Sequence, residues 1–399
     1  MLSAHGPGVP GQGAEELDAL LGRACRGAGS DPVFPGCVAL VWRAGQRPWC
    51  RAYGTLASEG PSSGRPTTPD TRYDLASLTK VLATTTLCAQ ALAQGVLSLD
   101  EPIPEALALT YAADPAGLES ARRPQLRALL EHAAGLVAHR EFFHAPWSLR
   151  PGQPRALIDA VRAEAPAAAP GTRSIYSDLG FILLGAWLER RLGASLDQLF
   201  RERIAEPLGI DAEVGFASLT ARRTPDPTLE FTAPTERYDD PSRHWAELRT
   251  EVGQPLAHGV VHDDNCVVMG GVAGHAGLFG TAHAVATIAQ AWLDRRLPGV
   301  PPDRSEEIWA TFSRPSLVPG SSRRLGFDGP SPGGSTGGAL SSGAIGHLGF
   351  TGSSLWIDPM TRAVYILLSN RVHPDRASSA AGIRRLRVAF HRQAALLRS

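Results

Sequence analysis

The only lysine of the 399-residue chain, Lys80, lies three residues after Ser77. The other 38 of its 39 basic residues are arginine. Arginine stays protonated inside proteins, whereas a lysine amine can lose its proton when its surroundings lower its pKa. Because residues three apart on a helix share a face, we expect Lys80 to reach the Ser77 hydroxyl and to act as its general base in acyl transfer. Taken alone the spacing is a weak signal, since serine is a common residue.

Tyr176 and Asp178 form a second candidate group, directly before a predicted helix. A tyrosine close to Lys80 could carry a proton to the leaving group of an acyl-transfer reaction. The structural alternative is a tyrosine that only marks the start of a helix, and these two residues alone do not distinguish the two interpretations.

A third candidate group, His347, Gly349 and Phe350, precedes the predicted strand Ser353 to Ile357. Glycine lets a substrate backbone approach a strand edge closely. The backbone N–H groups of Phe350 and of Ser77, which opens a predicted helix, are expected to form an oxyanion hole. The alternative is a glycine-rich strand start with a solvent-facing histidine.

Taken in order, the three groups resemble the motifs of the serine β-lactamase and penicillin-binding-protein superfamily. The chain looks most like the class C-like branch, which also holds esterases and D-Ala-D-Ala peptidases. The resemblance extends from about Cys37 to about Pro374. Further segments that contribute to it are Leu129 to Leu136, Pro207 to Gly209, Gly271 to Phe279 and Leu368 to Arg371.

The resemblance implies a role for each motif residue. Ser77 would be the acylated nucleophile, and Lys80 would be its base. Tyr176 would protonate the leaving group and activate the water that releases the acyl group. His347 stands where the family has the lysine of its Lys-Thr-Gly motif. No cofactor and no metal ion are implied.

Two residues depart from the family pattern. Asp178 stands where many members have asparagine, and an ionised carboxylate only accepts hydrogen bonds. We therefore expect it to hold Lys80 as a cation or to accept a substrate N–H. His347 replaces a permanent cation with a group that titrates near neutrality. Both changes weaken the positive pocket that binds the carboxylate of a β-lactam or peptide, which predicts slow β-lactam hydrolysis.

Apolar periodicity predicts the elements that must position these groups. The predicted helices are Glu15 to Arg26, Leu78 to Gln94, Gln125 to His132, Ala156 to Ala163, Leu179 to Leu192, Leu196 to Ile204, Ala282 to Arg295 and Ser379 to Leu397. The predicted strands are Cys37 to Arg43, Trp49 to Leu56, Ser353 to Ile357 and Ala363 to Leu368. Irregular segments are predicted at Thr220 to Pro255 and, as a flexible rim loop, at Gly326 to Gly346.

Strands near both ends of the chain and helices in its middle predict one antiparallel sheet that distant segments complete. The expected fold class is α/β (α+β), β-lactamase-like, with the sheet flanked by helices. Residues 1–75 and 262–399 are expected to form the sheet subdomain, and residues 76–261 a mainly helical subdomain. The active site is expected at their interface.

Composition narrows the partners and the compartment. The net charge is zero, with 39 acidic and 39 basic residues, so neither nucleic acid nor an anionic membrane is an expected partner. Five scattered cysteines indicate buried thiols in a reducing compartment. The segment Met1 to Gly13 lacks the features of an export signal, and no apolar run spans a bilayer, which predicts a cytoplasmic protein.

One further cluster could hold a metal ion. It comprises His262, Asp263, Asp264 and Asn265, with His275 nearby in sequence. The spacing matches no standard metal site, so a structural loop beside the pocket is the favoured interpretation. Glu236 is interpreted as a loop anchor rather than a catalytic acid.

Together these features predict a serine hydrolase that cleaves a small ester, or an amide or peptide ending in a D-amino acid, with weak or no activity on β-lactams. One alternative is a genuine class C-like β-lactamase. Another is a catalytically silent penicillin-binding or scaffold protein. The expected partner is a small-molecule ester, peptide or β-lactam substrate, and the oligomeric state is not indicated.

Overall fold

Strands from both ends of the chain pair in one antiparallel sheet. We describe it from a computed structural model, which describes residues 12–27, 32–110, 123–219, 227–238, 256–377 and 379–397. The described strands are β1 (Gly36–Arg43), β2 (Trp49–Gly54), β3 (Tyr73–Asp74), β4 (Val214–Phe216), β5 (Leu278–Gly280), β6 (Ile345–Leu348), β7 (Ser354–Asp358) and β8 (Ala363–Ser369). Five of them form the large sheet in the order β2-β1-β8-β7-β6, and the other three form a small sheet in the order β3-β5-β4.

The large sheet is covered on both faces, because successive side chains of a strand point to opposite sides. In β1, Val38 and Leu40 pack into the main core, whereas Cys37, Ala39 and Val41 face a second core formed with the terminal helices. A strand buried on both faces has an almost continuous apolar sequence, which is why β1 and β8 were predictable. The pairing of β1 with β8 confirms the predicted sheet of distant segments.

Helices supply the remaining layers of the fold. The described helices are α1 (Gln12–Arg26), α2 (Thr86–Ala93), α3 (Leu126–Leu130), α4 (Pro154–Ala163), α5 (Asp178–Leu192), α6 (Leu196–Phe200), α7 (Asp264–Val268), α8 (Ala282–Leu293), α9 (Ser305–Ser313) and α10 (Ala380–Leu396). A π-helical segment, Lys80–Thr85, leads into α2, and a second one, Arg201–Ala205, follows α6. The predicted fold class, a sheet flanked by helices, is confirmed.

Several short elements were not predicted. Strands of two or three residues, such as β3, β4 and β5, are too short to show a period. His347 lies within β6 rather than before a strand, and it pairs with Leu355 of β7. The predicted rim loop Gly326 to Gly346 is also tied to the sheet, because Asp328 and Gly346 exchange two backbone hydrogen bonds of 2.7 and 2.9 Å.

Some predictions fall largely outside the described residues, namely the N-terminal segment Met1 to Gly13 and the irregular loop Thr220 to Pro255. In the described part of that loop, Pro227–Phe231 forms a 3₁₀ helix. The division into subdomains at residues 75 and 262 stays a prediction. No helix in the described ranges is both long and apolar enough to cross a membrane.

Candidate active site

Ser77 lies in a tight turn between β3 and the helical segment that begins at Leu78. The residue before it, Ala76, has a left-handed backbone with φ of 46°, a conformation that non-glycine residues adopt at a cost of about 1–3 kcal/mol. Its N–H donates to Asp74 Oδ1 at 2.8 Å, and Asp74 also accepts the backbone N–H of His262 at 2.7 Å. This buried carboxylate fixes the turn that presents Ser77 to the cavity.

The Lys80 ammonium is completely buried and has three acceptors around it. Its Nζ lies 2.9 Å from Ser77 Oγ, 2.8 Å from Asp178 Oδ1 and 3.1 Å from the carbonyl oxygen of His275. Two of these partners, the carboxylate and the carbonyl, can only accept. The structure thus brings together Ser77, Lys80 and Asp178, although Lys80 and Asp178 are 98 residues apart along the chain.

Lys80 and Asp178 form an ion pair that determines the charge of both groups. Burial alone would lower the pKa of Lys80, but the facing carboxylate of Asp178 outweighs it, so the pKa is raised above the usual lysine value. Burial would raise the pKa of Asp178, yet Lys80 and a contact to His139 at 3.2 Å hold it well below the usual range. At neutral pH Lys80 is therefore a cation, which matches the expected effect of an aspartate at position 178.

Tyr176 lies between two cations and two histidine rings. Its ring centre is 5.1 Å from Lys80 Nζ and 4.9 Å from Arg323 Cζ. The ring centres of His132 and His347 lie 4.7 and 5.6 Å away. Tyr176 is thus in place to exchange protons within the group that contains Lys80.

His347 is buried and neutral, so the expectation that it titrates near neutrality is wrong. It is only 3% exposed. Burial lowers the pKa of His347 well below its usual value, and the charges of Lys80 and Arg323 lower it further. Its Nδ1 lies 2.8 Å from the Leu348 carbonyl oxygen and must donate there, which leaves Nε2 with a lone pair.

The turn between β6 and β7 carries Gly349 and Phe350 to the cavity. A Cβ at Gly349 would lie 2.8 Å from the carbonyl oxygen of Leu75, so only glycine lets this turn approach the Ser77 loop. Among the described residues, the N–H groups of Ser77 and Phe350 have no protein acceptor. Both residues line the same cavity, as the predicted oxyanion hole requires.

Two arginines hold this turn in place. Arg387 of α10 is buried and donates to the carbonyl oxygens of Gly349 and Ser353, both at 2.7 Å. Arg371 Nε donates to the Phe350 carbonyl oxygen at 2.7 Å, and its guanidinium lies 4.3 Å from the ring centre of Phe350. Burial lowers the pKa of Arg387 to about 9, so it remains charged at neutral pH.

The cavity beside Ser77 has a volume of about 600 Å³. Residues of all three predicted motifs line its walls. Lys80 is buried behind Ser77 and does not line the cavity. Three arginines also line it, Arg323, Arg376 and Arg387, and sequence reasoning missed them all. In a chain with 38 arginines, no local pattern distinguishes these three.

The histidine and acid cluster that could have held a metal ion forms pairs instead. His262 Nε2 lies 2.8 Å from Glu236 Oε2, and His275 Nε2 lies 2.9 Å from Asp263 Oδ1. Burial would raise the pKa of Glu236, but His262 and Arg376 lower it to about 2. Within the described ranges, no three such side chains converge on one point that could hold a metal ion.

These pairs hold in place side chains that line the cavity. The His262 ring stacks on Phe350 with ring centres 5.7 Å apart, and Glu236 accepts from Arg376 Nε at 2.6 Å. Glu236 is fully buried and does not line the cavity, a position that suits the predicted loop anchor.

Several known proteins are similar to this chain in sequence or in structure. The chain is 30% identical over 330 residues to an Escherichia coli K12 protein provisionally named D-alanyl-D-alanine carboxypeptidase, covering 80% of this chain and 73% of that one. The structure of simvastatin synthase from Aspergillus terreus matches with a TM-score of 0.69 at 20% identity, covering 96% and 98% of the two chains. EstCE1, described as a hydrolase with promiscuous acyltransferase activity, matches with a TM-score of 0.69 at 19% identity, covering 95% and 99%.

The family itself follows from the sequence match rather than from these structural likenesses, which at such identities show the fold alone. The family model described as Beta-lactamase matches residues 21–389, nearly the whole chain. This range contains the Ser77 turn, the start of α5 and the β6–β7 turn that together line the cavity. The chain therefore belongs to the beta-lactamase family and is a serine hydrolase.

Proposed function

We propose that the protein forms an acyl-enzyme on Ser77 and thereby hydrolyses a small ester, or an amide or peptide that ends in a D-amino acid. The observation that carries the proposal is the contact of Ser77 Oγ with the buried Lys80 Nζ at 2.9 Å, on the wall of a cavity. The carboxypeptidase name of the sequence relative and the hydrolase description of the structural neighbour support it.

The reactive form of the site contains a neutral Lys80. A neutral amine has two N–H donors and one lone pair. The two donors suffice for Asp178 and the His275 carbonyl, which can only accept, and the lone pair then faces the Ser77 hydroxyl. Because the pKa of Lys80 is raised, this form is a minor one at neutral pH. Acylation is therefore expected to become faster as the pH rises.

In the proposed acyl transfer, every proton that leaves one group is taken up by another. Ser77 Oγ attacks the substrate carbonyl carbon while its proton moves to Lys80. The N–H groups of Ser77 and Phe350 stabilise the oxyanion. Tyr176 gives its proton to the leaving group and regains one from Lys80. A water molecule then attacks the acyl carbon while its proton passes through Tyr176 to Lys80, and this proton returns to Ser77 Oγ as the acyl group leaves as the free acid.

We propose weak activity at most on β-lactams. Two positions that would supply a cation and a donor amide in the family pocket hold instead a neutral histidine, His347, and a carboxylate, Asp178, whose oxygens are occupied by Lys80 and His139.

Labelling of Ser77 tests the proposed function. A fluorophosphonate or a fluorescent penicillin is expected to label the wild type covalently and to leave Ser77→Ala unlabelled. Ser98→Ala, which changes an exposed serine outside the cavity, is the matched control and should label normally. If neither probe labels the wild type, the hydrolase mechanism is wrong and a silent scaffold is favoured.

Turnover then identifies the substrate class. We expect p-nitrophenyl esters, which carry no carboxylate for the pocket to bind, to be hydrolysed at least about tenfold faster than the β-lactam nitrocefin, because the pocket lacks a cation at position 347. Faster turnover of nitrocefin than of these esters and of peptides ending in D-Ala-D-Ala would favour the β-lactamase alternative.

A further inference from the structure

His132 follows α3 and has a left-handed backbone, with φ of 56°. A left-handed residue commonly ends a helix, and histidine is among the residue types enriched in this conformation. The change of direction brings the chain alongside the segment that carries Tyr176 and Asp178, to which it is joined by backbone hydrogen bonds. The side chain of His132 is buried and does not line the cavity beside Ser77.

Three contacts of His132 surround Tyr176. The carbonyl oxygen of His132 accepts the N–H of Ile175 at 2.8 Å, and its ring Nδ1 accepts the N–H of Ser177 at 3.0 Å. The ring also lies against the Tyr176 ring, with ring centres 4.7 Å apart and planes tilted by 51°. One residue thus holds the backbone on both sides of Tyr176 and contacts its phenol ring.

Other hydrogen bonds between the two segments use backbone acceptors. Ser177 Oγ donates to the Val137 carbonyl oxygen at 2.7 Å, and the Asp178 N–H donates to the Ala138 carbonyl oxygen at 3.0 Å. Any residue at positions 137 and 138 would supply these carbonyls. The bond to the Ser177 N–H, in contrast, requires a side chain with an acceptor at position 132.

The hydrogen bond with Ser177 determines the tautomer of His132. Because a backbone N–H can only donate, Nδ1 must be unprotonated, and the hydrogen of the neutral ring is on Nε2. Burial holds the pKa of His132 well below its usual value, and the charges of Arg323 and Lys80 lower it further, against the smaller opposing effect of Asp178. His132 therefore keeps its acceptor at neutral pH.

The opposite edge of the ring indicates that stability alone does not explain a histidine here. Nε2 is buried and has no hydrogen-bond partner among the described residues. A buried N–H without an acceptor costs about 1–3 kcal/mol. The ring also packs against Phe181 of α5, with ring centres 5.0 Å apart. An apolar side chain would give similar packing without this cost, but it would not accept from Ser177.

We propose that His132 is a positioning residue for Tyr176 and holds the phenol where it can protonate the leaving group. The proposal rests on the proposed acyl transfer at Ser77. In that reaction Tyr176 must reach the leaving atom while it stays close to Lys80, whose Nζ is 5.1 Å from the ring centre. Loss of the bond to Ser177 releases the backbone beside Tyr176, and a displacement of about 1 Å at a reacting group can cost about 10²-fold in rate.

Two esters with the same acyl group distinguish this role from general support of the fold. The leaving group of p-nitrophenyl butyrate departs as an anion, whereas that of ethyl butyrate must be protonated. His132→Leu removes the acceptor. His132→Asn keeps one, because its side-chain oxygen can replace Nδ1 and asparagine tolerates a positive φ.

We expect His132→Leu to lower kcat/KM for ethyl butyrate by about 10- to 100-fold, and for p-nitrophenyl butyrate by less than about threefold. His132→Asn should recover most of the lost rate on ethyl butyrate. All rates are measured at a temperature where circular dichroism shows each variant to be folded. Equal slowing of both esters in His132→Leu overturns the proposal, and so does a His132→Asn variant that is no faster than His132→Leu.

His391→Leu is the matched control, because His391 is also buried and also lies outside the cavity lining. It removes a histidine that bonds the Ser335 carbonyl oxygen, at 2.9 Å from Nδ1, and has no contact with the Tyr176 segment among the described residues. The ratio of the two rates should stay at the wild-type value in this variant, even where its stability falls. A changed ratio would show that the loss of any buried histidine affects the two esters differently, which overturns the assignment to His132.

A spectroscopic measurement on wild type needs no variant to fold. In protein labelled with ¹⁵N, we expect a coupling across the N–H···N hydrogen bond between the Ser177 amide and an unprotonated ring nitrogen, in a histidine that does not titrate between about pH 5 and 8. Absence of the coupling, or titration of this ring near neutrality, overturns the proposal even if Ser77 is labelled. Failure of the proposed function shows differently, as a wild type that hydrolyses neither ester and is not labelled at Ser77.

Discussion

Aspartate at position 178 sets the protonation state of the only lysine. Two oppositely charged groups 2.8 Å apart in a buried site stabilise each other strongly, and each moves the pKa of its partner toward the charged form. An amide at this position would accept a hydrogen bond from Lys80 without this charge interaction. The presence of a carboxylate rather than an amide at position 178 therefore decides what fraction of Lys80 is neutral and able to accept the Ser77 proton.

Asp178→Asn should move the pH dependence of acylation. Removing the carboxylate lowers the pKa of Lys80, so the rise of kcat/KM with pH is expected at lower pH than in the wild type, by at least about one pH unit. The pH profile of ester hydrolysis measures this. The matched control Asp159→Asn, on the exposed face of α4, should keep the wild-type profile. An unshifted profile in Asp178→Asn would remove Lys80 as the base.

The same variant has a signature in stability. Because the pKa of Asp178 is lowered on folding, its contribution is present above about pH 4 and is lost as the pH falls through the folded-state value. Because the pKa of Lys80 is raised, its contribution is present below about pH 10 and is lost as the pH rises through the folded-state value. Asp178→Asn is expected to cost about 3 kcal/mol of unfolding free energy between these limits.

At the scale of elements, the helical segment that follows Ser77 depends on a close contact between α5 and the loop before β5. A Cβ at Gly274 would lie 2.1 Å from the carbonyl oxygen of Phe181, so the two backbones touch. The loop continues directly to His275, whose carbonyl accepts from Lys80 at 3.1 Å. Thr84 Oγ1, in the π-helical segment, donates a hydrogen bond to the Gly274 carbonyl oxygen at 2.7 Å. Glycine at position 274 therefore allows α5, the π-helical segment and the loop before β5 to pack closely around Lys80.

Gly274→Ala should damage both stability and activity. The added methyl group must push the loop away from α5, and we expect a loss of about 1–3 kcal/mol in unfolding free energy together with slower labelling of Ser77. Denaturant unfolding and labelling rates measure the two effects. In Gly215→Ala, the new Cβ meets nothing within 4 Å, and stability should stay within about 0.5 kcal/mol of wild type. Wild-type stability in Gly274→Ala would contradict this account.

At the scale of the whole molecule, the ends of the chain hold the active site together. β1 and β8 pair along seven residue positions, and α1 and α10 pack on the same face of the sheet. From α10, Arg387 crosses to the β6–β7 turn and binds two of its carbonyls. The C-terminal helix is thus part of the support of the oxyanion turn.

Arg387→Met should loosen this turn. The variant keeps an apolar stem of similar length but removes the guanidinium donor, so the carbonyls of Gly349 and Ser353 keep only their backbone donors, and this loss is expected to cost about 2 kcal/mol. Labelling of Ser77 is expected to slow by at least about tenfold even at temperatures where the variant is fully folded. Arg385→Met, on the exposed face of the same helix, is the control and should change neither the unfolding free energy nor the rate of Ser77 labelling. An unchanged labelling rate in folded Arg387→Met would show that the turn does not need this support.

The predictable part of the molecule was local. The position of Lys80 one helical turn after Ser77, the long amphipathic helices and the apolar strands all follow from short-range spacing, because helix and strand geometry repeat over a few residues. The family resemblance depends on the order of short motifs along the chain, and the match of the family model to residues 21–389 confirmed it. Short strands such as β5, which contain less than one repeat of any pattern, were missed.

The sequence by itself thus determined which side chains were available for acyl transfer and roughly which elements hold them. Tertiary structure decided their charge states. The cationic Lys80 and the neutral His347 depend on burial and on neighbours that lie far away in sequence. Proton affinity responds to charges and solvent within a few ångströms, and that proximity exists only after the chain has folded.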